Sequence, residues 1–159
     1  MNRRELFSSL AKPFKKEQES IIRPPYYKNK DIFFTNCIKC LEKSCSEACE
    51  ENIIYILEDQ TPSLNFSNSG CTYCDLCAKA CNMEVLDIKY KSNIDAKIQI
   101  DTKTCLSWNQ TMCFSCKDPC LENAISFEGI FKPIINDNCT SCGFCIKVCP
   151  TNSIKVLNV

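Results

Sequence analysis

The chain has 159 residues, of which 16 are cysteine, three are glycine and none is histidine, and its formal net charge is zero. Hydrophobic residues make up 45% with those cysteines included. The aliphatic supply is therefore thin for a conventional core, in a length that allows one or two domains. The lack of histidine excludes mixed Cys/His zinc fingers, histidine-ligated haem and Rieske-type ligation, and no run approaches the ~18 apolar residues that span a bilayer.

Residues 1–30 stand apart, with eight Lys/Arg and three Glu, a net +5 against −5 for residues 31–159. Leu6, Phe7, Leu10 and Phe14 fall at helical spacing. Asn2 and Glu5 make a capping box, and Pro13 ends or kinks the helix. Arg23-Pro24-Pro25-Tyr26-Tyr27 reads as extended, because proline restricts the residue before it. Arg3-Arg4 ahead of Leu6-Phe7 is similar to a twin-arginine export start. The apolar stretch such a signal needs is replaced by Lys12, Lys15, Lys16, Glu17 and Glu19. The expectation is a cytoplasmic protein whose basic arm, with a helical and an extended part, docks a partner or lies on a membrane surface; the alternative is a solvated tail. Nucleic-acid binding is not expected.

The cysteines follow in four groups: Cys37, Cys40, Cys45, Cys49; Cys71, Cys74, Cys77, Cys81; Cys105, Cys113, Cys116, Cys120; and Cys139, Cys142, Cys145, Cys149. Their first members are each 34 residues apart, so one supersecondary unit is used four times. The second and fourth groups read C-x2-C-x2-C-x3-C, the first C-x2-C-x4-C-x3-C and the third C-x7-C-x2-C-x3-C. Three thiolates on a tight loop can wrap one metal–sulfide unit. The fourth, a helical turn further on, points the other way and in two-cluster ferredoxins ligates the other cluster. Zinc would more naturally use two separated C-x2-C knuckles, and disulfides are rare in a reducing compartment. All sixteen cysteines are candidate ligands of 4Fe–4S clusters, four in number, which would add roughly −8 to a formally neutral chain. With so little aliphatic core, their ligation is expected to supply much of the folding free energy.

A short helix is expected after each loop, as in Leu76-Cys77-Ala78-Lys79-Ala80-Cys81. Each fourth cysteine then leads into a strand-like run: Ile53–Ile56, Val85–Ile88, Ala124–Phe127 and Ile154–Leu157. Further strands, Leu64–Phe66, Ile98–Ile100 and Pro133–Ile135, precede the second, third and fourth groups, with period-two alternation at Ile98/Ile100 and Ile125/Phe127. The class is α+β, with short helices and β-hairpins in the layout of bacterial ferredoxins. The simplest reading is tandem modules, 31–95 and 96–159. Cys37, Cys40 and Cys45 would then share a site with Cys81, and Cys71, Cys74 and Cys77 with Cys49. Cys105, Cys113 and Cys116 would pair with Cys149, and Cys139, Cys142 and Cys145 with Cys120. A nested arrangement is the alternative, and linker lengths do not decide between them. Tyr73, Phe114 and Phe144 inside the loops are expected to shield clusters from water. Trp108 serves either local packing or a docking surface.

The Arg3-Arg4 start, Arg23-Pro24-Pro25-Tyr26, the four motifs and the wide gap from Cys105 to Cys113 resemble the NapF family. Asn52-Ile53-Ile54, Pro62-Ser63-Leu64-Asn65-Phe66 and Gly129-Ile130-Phe131-Lys132-Pro133 match it as well. These are ferredoxin-type accessory proteins of periplasmic nitrate reductase systems, and the resemblance covers nearly the whole chain. One departure is the four-residue gap between Cys40 and Cys45, where two would be expected. The resemblance implies a cytoplasmic protein that interacts with the molybdenum catalytic subunit precursor before its export. It would help mature that subunit's own iron–sulfur centre or pass electrons. The alternative is an electron carrier or subunit of another membrane-linked redox chain, with a redox partner protein. An enzyme is not expected: every cysteine belongs to a motif, no histidine can act as a base, and no phosphate-binding glycine loop exists.

Overall fold

A computed structural model describes residues 21–158; the helix expected over residues 6–14 lies outside them. Four short α-helices, α1 (Asp31–Asn36), α2 (Ser44–Glu47), α3 (Leu76–Lys79) and α4 (Phe144–Lys147), are interspersed with six strands. These are β1 (Ile54–Ile56), β2 (Pro62–Leu64), β3 (Ala96–Ile100), β4 (Ile125–Glu128), β5 (Phe131–Ile135) and β6 (Ile154–Asn158). The architecture is α+β, as the alternation of cysteine loops and apolar runs implies.

The strands form three antiparallel pairs. β1 lies beside β2 with Ile54 opposite Leu64, and β4 beside β5 with Ile125 opposite Ile135. β3 pairs with β6, setting Ile98 opposite Val156 and Ile100 opposite Ile154. This last pair closes residues 96–158 on themselves: the strand ahead of the third cysteine group lies against the strand after the fourth. Ile98 is buried between exposed Lys97 and Gln99, the alternation that one covered face requires.

The first half departs from that plan. In the place of β3 it has α1, so the apolar run Val85–Ile88 finds no strand partner. Val85 and Leu86 are buried, but the Asp87 carboxylate accepts from the Lys89 amide at 2.9 Å and starts a 3-10 turn over Ile88–Tyr90. A local side-chain acceptor competes here with a ladder that has no second strand. Single backbone bonds replace the sheet: Asp87 N–H donates to Tyr26 O and Ser92 N–H to Pro25 O.

Those partners correct the expected limits of the arm. Ile22, Arg23, Pro24, Pro25 and Tyr26 are buried, and Leu64 N–H donates to Ile22 O at 2.7 Å. The segment is extended, as its prolines require, but it belongs to the packed body. Ile22 and Tyr26 join Phe33, Leu64, Phe66 and Val85 in the larger core cluster. The smaller cluster, around Ile98, Ile125 and Ile154, counts Cys116 and Cys145 among its buried members. Thiols here stand where aliphatic side chains would otherwise pack.

The helix expected within the third group is absent, and turns occupy Ser115–Pro119. In the first and second groups the residue before the fourth cysteine donates an i→i−4 bond, Ala48 to Ser44 O and Ala80 to Leu76 O. Its counterpart in the third group is Pro119, which has no N–H to donate.

Candidate iron–sulfur sites

Each cysteine group is shaped by backbone in the left-handed region. The third residue after each fourth cysteine has positive φ: Asn52, Glu84, Asn123 and Asn152, at +52°, +54°, +49° and +50° respectively. Asparagine tolerates this region better than most residues, and three of the four positions use it. Two residues before the third cysteine, Lys43, Asp75 and Gly143 are left-handed as well. These reversals turn the chain back over its own thiols. The asparagines repeat at a fixed offset from the cysteines, a signal that sequence reading could have used and did not.

The thiols gather into four sets, each drawn from two groups. Cys37, Cys40, Cys45 and Cys81 line one void, and Cys49, Cys71, Cys74 and Cys77 line a second. Cys105, Cys113, Cys116 and Cys149 line a third, and Cys120, Cys139, Cys142 and Cys145 a fourth. The grouping is the tandem one, and none of the sets is nested. The cause is local: Cys77 lies within α3 and Cys81 just beyond its end, four residues and about 6 Å further along the axis, so the two thiols serve different voids.

The four thiols of a set surround a space and do not meet at one point. Among the described residues, no three His, Cys, Asp or Glu side chains converge as a single metal ion would need. A lone zinc draws its thiolates to about 2.3 Å. A cubane holds its four thiolates at the corners of a larger body, and four thiols spread over the walls of one shared void fit that arrangement.

Burial dominates the thiol chemistry. It pushes Cys77 and Cys145 up to about 12, and Cys37, Cys45, Cys71 and Cys116 up to about 11, with neighbouring cysteines adding in the same direction for all six. Iron ligation requires the thiolate, so filling the voids releases protons. Cys149 goes the other way: burial raises it, but hydrogen bonds led by the Ser153 amide outweigh that and leave it below its ordinary value. The Ser153 amide lies 3.2 Å from Cys149 Sγ, and the equivalents are Leu86 N–H to Cys81 Sγ at 3.4 Å and Ala124 N–H to Cys120 Sγ at 3.3 Å. Such bonds to sulfur are among the levers that set cluster potentials.

The long first group keeps its ligands in place. The extra residues bulge outward, with Leu41 95% exposed. Lys43 ties the loop down by donating from Nζ to Cys37 O at 2.6 Å and to Gln60 O at 2.7 Å. Trp108 packs locally, its indole N–H donating to Pro133 O at 3.2 Å. Phe114 stacks on Phe127 at a centroid distance of 4.9 Å. Tyr73 and Phe144 lie where the first half meets the second, a placement the sequence offered no means of finding.

Four thiol sets, drawn from cysteine loops joined by short antiparallel strand pairs, define a ferredoxin-type iron–sulfur protein. The family described as "4Fe-4S dicluster domain" matches residues 36–85, and that described as "4Fe-4S binding domain" matches residues 132–155. Relatives include the ferredoxin-type protein NapF of Escherichia coli (strain K12), 34% identical over 138 residues, which covers 84% of this chain and 82% of that protein. The ferredoxin-type protein NapF of Haemophilus influenzae is 32% identical over 140 residues, 85% of this chain and 78% of that one. The ferredoxin-type protein NapG of Escherichia coli (strain K12) is 29% identical over 163 aligned positions, 86% of this chain and 70% of its own. The chain belongs to the NapF family of ferredoxin-type proteins.

Proposed function

We propose that this protein is a cytoplasmic polyferredoxin that binds four 4Fe–4S clusters, one per thiol set, through all sixteen cysteines. The observation that carries the reading is the equivalence of the four voids, each walled by three cysteines of one group and the fourth of another. Bound there, the clusters supply one-electron chemistry. The chain's own part is to hold thiolates, donate N–H groups to sulfur and keep water out. Two ferredoxin modules, the first beginning near residue 22 and the second near residue 96, account for the strand pairing.

We infer from the family that the protein serves a periplasmic nitrate reductase system, in maturation of the catalytic subunit, in electron transfer, or in both. Catalysis of its own is not part of the reading. The basic stretch ahead of the packed body is the proposed docking arm, now confined to about residues 1–20, since Ile22–Tyr26 are core.

Anaerobic iron and sulfide analysis tests the cofactor reading, with about 16 iron and as many sulfides per chain expected; zinc without sulfide would overturn it. Pull-down of the catalytic-subunit precursor by the full chain and by a chain lacking residues 1–20 tests the arm. Loss of capture with cluster absorbance intact is expected, and undiminished capture would end the docking idea.

A further inference from the structure

Two of the chain's three glycines stand where the halves meet. A Cβ on Gly70 would lie 2.6 Å from both the Phe144 ring and the Phe144 backbone nitrogen, and 2.7 Å from Cys142 O. A Cβ on Gly143, whose φ is +87°, would run into the ring of Phe66. Gly129 has nothing within 4 Å of the equivalent point and serves only a hairpin turn. In a chain this poor in glycine, two positions without side chains let one cysteine loop approach another at backbone distance.

The approach is hydrogen-bonded. Cys71 N–H donates to Cys142 O at 2.7 Å, and Ile94 N–H to Thr140 O at 3.3 Å. The Tyr73 hydroxyl donates to Thr140 O at 2.5 Å and accepts from Ile94 N–H at 3.2 Å. Cys71 belongs to the set with Cys49, and Cys142 to the set with Cys120. Both also line the cleft that opens between the halves. The sets containing Cys37 and Cys105 share no lining residue with that cleft. Within each half the remaining links are single helical turns or short loops, Cys77 to Cys81 and Cys145 to Cys149.

We propose that the Cys71–Cys142 contact is the junction for electron transfer between the two halves, which places the four sites in single file. The order runs from the Cys37 set through the Cys71 set and the Cys142 set to the Cys105 set. It rests on the reading above that each set holds a 4Fe–4S cluster. In the crossing, one electron leaves a reduced cluster on one side and reduces an oxidised cluster on the other; no bond breaks and no proton is needed. The Cys37 set, with Cys40, and the Cys105 set, with Cys113, are the two ends of that file. Gly70, Gly143 and Tyr73 are positioning residues for that junction.

The test uses the full chain, isolated anaerobically, with Cys40→Ala and Cys113→Ala so that neither outer set can close. An iron content of about 8 then shows that the two seam sites are filled; an iron content near zero in this chain and in the unsubstituted one would sink the cluster reading itself. After full reduction with dithionite, EPR at two microwave frequencies should show spin–spin interaction between the remaining pair, and Gly70→Val should abolish it with iron unchanged. Two independent, non-interacting signals before that substitution would overturn the junction. Should the doubly substituted chain fail to load, Gly70→Val and Tyr73→Phe in the otherwise unsubstituted protein decide the matter. With about 16 iron retained, unchanged coupling and unchanged intramolecular transfer rates in both would refute the proposal, and loss of cross-half coupling would support it. Gly129→Ala, away from the seam, should leave the coupling as it is.

Discussion

The guanidinium of Arg23 lies 4.7 Å above the ring of Phe33, and its Nη1 donates to Thr61 Oγ1 at 2.7 Å and to Pro62 O at 2.6 Å. One buried cation thereby joins the extended N-terminal segment, α1 and the start of β2. Burial lowers its affinity for the proton and Asp59 works in the opposite direction, yet arginine stays charged at any ordinary pH. Hydrogen bonds to a charged group are worth about 1.5–3 kcal/mol each when made and leave a desolvated acceptor when lost. Arg23→Met should therefore destabilise the protein by about 3 kcal/mol while leaving the iron content of the second half intact. Anaerobic urea unfolding measures the first, and iron analysis of the folded fraction the second. A change under about 0.5 kcal/mol would show that the guanidinium is not a staple.

Tyr26 provides a pH signature. Its hydroxyl accepts from the Asp75 amide at 3.2 Å, and burial first, then the neighbouring Asp75 carboxylate, raises its pKa far above the ordinary tyrosine value. The neutral form is thus the one the fold holds. Stability from this group is fully present below about pH 10, where unfolded tyrosine begins to ionise, and falls above it. The slope should approach about 1.4 kcal/mol per pH unit for this one proton. Between pH 9 and pH 11, which straddle the unfolded value, the native chain should therefore lose about 1.4 kcal/mol more unfolding free energy in total than Tyr26→Phe. Parallel curves would show that Tyr26 ionises as easily folded as unfolded.

The grouping of thiols makes a non-additive prediction. Cys81 lines the same void as Cys45, whereas Cys77, one turn away on α3, lines another. Cys81→Ala should lower iron from about 16 to about 12, and adding Cys45→Ala should lower it no further. Adding Cys77→Ala instead should bring it to about 8. Equal losses in the two double variants would contradict the sharing of Cys81 with Cys45.

Glu84 is the one position of its kind without asparagine. It is exposed, has φ of +54°, and occupies the place held by Asn52, Asn123 and Asn152 in the other groups. A left-handed residue with a Cβ costs about 1–2 kcal/mol, and asparagine or glycine relieves part of it. Glu84→Gly should stabilise the protein by about 0.5–1 kcal/mol, read as a higher urea midpoint at unchanged slope. A lower midpoint would mean that Glu84 makes a compensating contact.

The sequence alone determined which cysteines are candidate ligands and how they divide into four groups; which group each fourth cysteine joins stayed open between tandem and nested pairing until folding set Cys81 beside Cys45 and Cys149 beside Cys116. Ligand spacing is a local property: a C-x2-C-x2-C loop can curl only one way around a cubane, and a fourth cysteine four residues on must face elsewhere. The strands after Cys49, Cys120 and Cys149 were legible for a similar reason, since their alternation reflects one covered face. The Val85–Ile88 run has the same composition and forms no strand, because its would-be partner is the helix α1. Ladders need two strands, and only the tertiary structure supplies or withholds the second. Likewise the fate of Arg23 was not legible from its neighbours. Charge and prolines suggested an exposed arm, but Phe33, Thr61 and Pro62 offer its guanidinium a ring and two oxygen acceptors that lie close only after folding. The seam at Gly70 and Gly143 is the farthest from sequence of all, for Cys71 and Cys142 are a full repeat pair apart. Whether two loops touch depends on how each half packs, and no spacing within either motif records it.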